Sequence, residues 1–156
     1  MGLKNMVDGL FNNSNRVLTR PAEVYNAATN IFTLTGGAIW IKTCVLRATA
    51  AAGGATTLAT TWNGVAGEAA GVDIGTGTIV GEVVTVPLNV AAVIPGSLGA
   101  IPQTDALLYP KGMIMGLGAA GIASLVIFTF AVSTWTGTIS VVWQALEPGS
   151  SLTISA

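Results

Sequence analysis

The chain has 156 residues, 51% of them hydrophobic and only 8% charged, with no histidine and a single cysteine, Cys44. That content excludes a Cys/His zinc site within one chain, Ser-His-Asp or Cys-His catalysis and an internal disulfide framework, while a net charge of −1 excludes an electrostatic footprint for nucleic acid. An average soluble domain is about 25% charged, so this composition, with a mean hydropathy of +0.70, leaves two classes: a membrane protein, or a soluble chain whose surface is covered by other subunits.

The charges concentrate early. Lys4, Asp8, Arg16, Arg20 and Glu23 precede Lys42 and Arg47, and from Ala48 onward there are only Glu68, Asp73, Glu82, Asp105, Lys111 and Glu147. The chain therefore divides into an N-terminal arm, residues 1–28, and a single β-rich domain, residues 29–156. Within the arm Leu3, Met6, Val7, Leu10 and Phe11 recur at helical spacing and form one apolar stripe. The run Asn12-Asn13-Ser14-Asn15 ends that helix, and Pro21 closes the arm by pushing Arg20 out of helical conformation. So short a helix is marginal alone in water, so its stripe is expected to lie on its own domain or on a neighbour. No apolar stretch follows a basic start as in a secretory signal, and Met6 stands where myristoylation wants Ser or Thr.

Past residue 30 the pattern becomes extended. Short runs at 31–35, 39–46, 56–62, 78–86, 138–146 and 152–154 are rich in β-branched residues and stop at Gly or Pro. Asn63-Gly64 is the strongest hairpin signal. Residues 91–110, with Pro95, Pro102 and Pro110, read as a long loop, first as an ordinary surface excursion and second as a candidate contact segment. The expected fold is all-β, a β-sandwich or jelly-roll-like barrel with an extended, partly helical N-terminal arm.

Residues 113–132 are uncharged and long enough for a membrane helix. The absence of a flanking basic cluster weighs against that, and Ile122, Ser124, Val126, Phe128, Phe130 and Val132 suit a strand buried on both faces and turning at 133–136. Gly116, Gly118 and Gly121 match G-x-G-x-x-G, but the next acid, Glu147, lies 26 positions on, so no dinucleotide site is expected. Glu68 and Asp73 lack the spacing of a calcium loop and read as solvated turn acids. Trp40, Trp62, Trp135 and Trp143 would stack on sugars only if exposed; on the strands of a small domain they are better read as core residues or interface anchors. Cys44 reads as a buried small hydrophobe. No catalytic residue, cofactor or metal site is expected.

The segment Asn30-Ile-Phe-Thr-Leu-Thr-Gly-Gly-Ala-Ile-Trp-Ile-Lys-Thr43 resembles the opening strand pair of small tailed-bacteriophage virion proteins. The closing segment, from Thr136-Gly-Thr-Ile-Ser-Val-Val-Trp143 through Glu147-Pro-Gly149 to Ile154, is similar to their final strand-and-turn phrase, and the approach from Arg16 to Pro21 to their basic lead-in. The resemblance spans the two ends of the body. It implies a β-rich capsid auxiliary, decoration or vertex protein, present in many copies and located in the virion. Its partners would be copies of itself and other virion proteins, the major capsid protein first, with interface candidates Leu3, Met6, Val7, Leu10, Phe11, Trp40, Trp62, Trp135 and Trp143. A neck or tail structural protein is the first alternative, and a small membrane protein with a helix at 113–132 the second. The family offers no active site to carry over.

Overall fold

The computed structural model describes residues 15–66, 72–88, 100–102, 112–116 and 124–156. The arm stripe of Leu3, Met6, Val7, Leu10 and Phe11 lies outside the described residues, as does most of the loop at 91–110. Every described element is a strand. In chain order they are β1 (Arg16–Tyr25), β2 (Ala28–Thr35), β3 (Ile39–Ala48), β4 (Thr57–Trp62), β5 (Val65–Ala66), β6 (Val72–Asp73), β7 (Val83–Thr85), β8 (Ala100–Pro102), β9 (Met113–Met115), β10 (Ser124–Ala131), β11 (Trp135–Ala145) and β12 (Ser151–Ile154).

They form two antiparallel sheets. The first runs β1-β11-β3-β9-β8 with β7 also on β3; the second runs β12-β2-β10-β4-β5 with β6 also on β4. Among the described residues the sheets do not close into a barrel. β4, β10 and β11 alternate strictly between buried and half-buried residues, whereas β1, β2 and β3 break step at their bulges. Along β11, Trp135, Gly137, Ile139, Val141 and Trp143 are buried while Thr136, Thr138, Ser140, Val142 and Gln144 are half-buried, the period of two that a pleated strand imposes. One apolar cluster, including Ile39, Ile41 and Leu46 of β3 and Val126, Phe128 and Phe130 of β10, lies between the two inner faces. Phe130 stacks on both Tyr25 and Trp135 of the opposite sheet, with ring centroids 4.9 and 5.6 Å away.

Some expectations hold and others are corrected. The strand favoured over a helix for 113–132 is present where that span is described, as β9 and β10, and among the described residues no helix is long and apolar enough to cross a membrane. β10 is buried on one face only, and its turn falls at 132–134, with Val132 at φ 76°. The strand expected over 78–86 shrinks to β7, because Gly77 (φ 76°) and Gly81 (φ 89°) make two turns first. Part of the stretch read as an arm is β1, paired with β11 along its length and bulged between Arg20 and Glu23 around Pro21. Asn63 (φ 48°) and Gly64 (φ 80°) make the expected hairpin turn, placing Trp62 opposite Val65.

Candidate interaction surfaces

The four tryptophans divide sharply. Trp62, Trp135 and Trp143 are 0%, 1% and 3% exposed and belong to the core. They share the inward parity of their strands, so they fill the space between sheets and cannot serve as interface anchors in the folded chain. The indole Nε1 atoms of Trp62 and Trp135 have no hydrogen-bond partner among the described residues, so both act as apolar volume. Trp40 alone is half-buried. Its ring lies against Gly112, where a Cβ would meet the indole at 2.3 Å, and the Lys42 ammonium sits 4.3 Å from its centroid.

The surface electrostatics follow from the topology. The strands of the second sheet carry one charged residue, Asp73, at its margin; those of the first carry Arg16, Arg20, Glu23, Lys42 and Arg47. Along the centre of the second sheet's outer face lie Leu125, Ile127 and Thr129, flanked in register by Thr33 and Asn30 of β2 and by Thr61 and Ala59 of β4. These central positions are half-exposed and uncharged, a surface that water leaves at little electrostatic cost.

The charges of the first sheet are almost all engaged. Arg16 lies 5.0 Å from the Trp143 ring centroid. Lys42 also donates to the side chain of Asn15. Arg20, which sequence reasoning placed in the arm, is only 7% exposed. Its guanidinium donates to the carbonyls of Asn30 (3.0 Å), Ile31 (3.3 Å) and Ser155 (2.9 Å) and pairs with Glu23 at 3.0 Å. These bonds tie the edge strand of the first sheet to β2 and the tail of β12 in the second. The sequence signal was present: a lone Arg before a proline, on a strand whose inward positions are Leu18 and Tyr25. Its carbonyl acceptors, however, are contributed by backbone and leave no trace in residue identity.

Arg47 is the exception. It is exposed, and among the described residues it has no carboxylate, carbonyl or ring partner. It lies across from Thr138 on one side and Val83 on the other and lines a shallow groove with Ala48, Thr49, Val80, Gly81 and Thr138.

The remaining polar turns are self-contained. The Asp73 carboxylate accepts backbone N–H bonds from Thr56 (3.0 Å), Gly75 (2.8 Å) and Thr76 (3.1 Å) and a hydroxyl bond from Thr76; these bonds hold its pKa well below the usual carboxylate range. Glu68 lies outside the described residues. Among those described, no three Cys, Asp or Glu residues form a metal-binding group. The glycine run that begins at Gly116 leads to a strand in the next described segment, whereas a dinucleotide fingerprint requires a helix there. The Gly116 carbonyl instead accepts a bond from the Ser124 hydroxyl at 2.9 Å.

Comparison of the chain with protein-family models, with curated proteins and with solved structures gave no match.

Proposed function

We propose that this chain is a virion structural protein of the tailed-bacteriophage type, a decoration or cement subunit that works through binding area. In this reading the two sheets form a β-sandwich that rests among copies of itself and the major capsid protein. One observation carries it: among the described residues the strands of the second sheet hold a single charged residue, Asp73 at the margin, and an outer face of Thr, Asn, Ala, Leu and Ile. A free-standing soluble domain places charge on such a face, whereas buried charges must be paired or neutralised at a cost. A face without charge loses little on being covered. The resemblance of the two end segments to virion proteins supports the same reading.

The test is the mass and negative-stain image of native material. The expected result is co-sedimentation with large particles, and a free compact monomer unassociated with any particle would sink the reading. The contribution of the N-terminal segment is tested by deleting residues 1–14. A longer deletion to residue 20 would cut into β1 and remove Arg20, confounding loss of docking with loss of fold.

A further inference from the structure

The first sheet presents a cation that no side chain among the described residues neutralises. Of the four basic residues on its strands, three have ring, carboxylate or carbonyl partners, and Arg47 has none among the described residues. The strands of this sheet carry one carboxylate, Glu23, which is turned to Arg20. Glu82, in the turn beside the groove, does not reach Arg47 either: its carboxylate accepts the N–H of Ile79 at 3.2 Å, and no ion pair links it to Arg47.

The other residues around Arg47 are uncharged, with exposed aliphatic side chains on one side and Thr49 and Thr138 on the groove, and are firmly held. Ile79, Val80 and Val83 are 68%, 65% and 56% exposed. The turn that carries Val80 is pinned to β3, with Gly81 N–H donating to Ala48 O at 2.8 Å and Ala48 N–H to Glu82 O at 2.9 Å. Val80 and Thr138 therefore stand on the same groove as the guanidinium, on backbone that does not need to reorganise. An exposed arginine with Val83 beside it on the neighbouring strand and Val80 on the same groove suits a carboxylate carried on an apolar segment. Arg matches a carboxylate bidentately, and apolar neighbours lower the local dielectric and strengthen the bond.

We propose that the groove lined by Arg47, Thr49, Val80, Gly81 and Thr138 is a docking site for an acidic side chain flanked by apolar residues on a neighbouring protein subunit. The Arg47 guanidinium takes the carboxylate, and Val80 and Val83 take the flanking side chains. The proposal rests on the reading above only in assigning the partner to a protein assembly. The groove can be tested on the isolated full chain, so its failure is distinguishable from failure of the assembly reading.

The experiment titrates the isotope-labelled full chain by NMR with three capped peptides, acetyl-Ala-Val-Xaa-Val-Ala-amide with Xaa as Glu, Gln or Lys, and separately with inorganic phosphate. The Glu peptide is expected to shift the amides of Thr49, Val80, Gly81 and Thr138, with affinity about fivefold above the Gln peptide and falling with added salt. Arg47→Gln, an exposed position whose loss leaves the rest of the spectrum in place, is expected to erase that preference, and Val80→Ser to weaken both peptides together. Equal binding of the Glu and Gln peptides overturns the proposal, as do phosphate binding at least as tight as the Glu peptide, shifts confined to other surfaces, or no shift at these amides at millimolar peptide.

Discussion

The Arg20 guanidinium donates a 2.9 Å hydrogen bond to the backbone carbonyl of Ser155, 135 positions later in the chain. β1 and β12 are the edge strands of different sheets, so this bond and its companions to Asn30 and Ile31 clasp the sheets along one side. Truncation removes the donor of the buried Ser155 carbonyl, at a cost on the order of 1–3 kcal/mol, and weakens the bonding at Asn30 and at Ile31, whose carbonyl keeps the Ser155 N–H at 3.1 Å. Arg20→Met is expected to destabilise the fold by about 2–4 kcal/mol in urea unfolding. Glu23→Gln should cost under about 1 kcal/mol, because the Glu23 side chain is 43% exposed and water replaces its partner. Equal effects of the two variants would show that the ion pair, and not the carbonyl clasp, holds the corner.

The turns between β2 and β3 and between β11 and β12 are interlocked. A Cβ at Gly36 would lie 2.1 Å from the Gly149 carbonyl oxygen, and its φ of +85° already disfavours a side chain. The Glu147 carboxylate accepts the Ala38 N–H at 2.9 Å across the same junction. Gly36→Ala is expected to lose at least about 2 kcal/mol, from backbone strain and the clash together. Gly64→Ala is the control: its φ is +80° but the space around it is open, so only the left-handed penalty of about 1–2 kcal/mol applies. Melting curves of the two variants check the difference.

Short-range chemistry made much of this fold legible in the sequence. Asn63-Gly64 specifies its hairpin locally, and β3 is declared by every second residue facing the core, although a bulge at Lys42 switches the inward parity from Ile39 and Ile41 to Cys44 and Leu46. β1 was hidden because Arg16, Arg20, Pro21 and Glu23 resemble a solvated lead-in, while its pairing partner β11 lies more than a hundred residues away. The 78–86 run misled for the opposite reason: its β-branched residues are real, but Gly81 turns the chain in their midst. For the surfaces, parity was decisive. Trp135 and Trp143 share parity with Ile139 and Val141, which marks them as inward, whereas the solitary state of Arg47 depends on where Glu23 and Glu82 direct their carboxylates and has no signature in residue order.

Cys44 sits in the middle of β3, fully buried and opposite Val141. Burial pushes its thiol far above the ordinary value of 9.0, and the thiolate is the reactive form. Native protein is therefore expected to be inert to a thiol-specific disulfide reagent at pH 8, with full labelling only on unfolding. Labelling in urea should track the loss of tryptophan burial, since Trp143 and Cys44 belong to one core. Rapid labelling without denaturant would mean that β3 opens locally.

Asp73 supplies the acid sensitivity of the turn that joins β6 to the 74–82 segment. Its carboxylate accepts three backbone N–H groups and the Thr76 hydroxyl, so folding favours its charged form and depresses its pKa below the ordinary 3.8. For a group shifted in that direction, the stabilisation is fully present above the unfolded-state pKa and is lost as pH falls toward the folded-state value. Wild type should therefore hold a constant contribution from this residue at neutral pH and lose it progressively below about pH 4. Asp73→Asn keeps one oxygen acceptor but no charge, so it should be less stable at pH 7 and show a flatter acid limb, the two curves drawing together as pH falls toward about 2. Urea midpoints between pH 2 and 7 give the comparison. Parallel curves would show that the Asp73 charge is equally solvated in the folded and unfolded chain, and that the turn is held by the backbone bond from Thr78 N–H to Gly75 O.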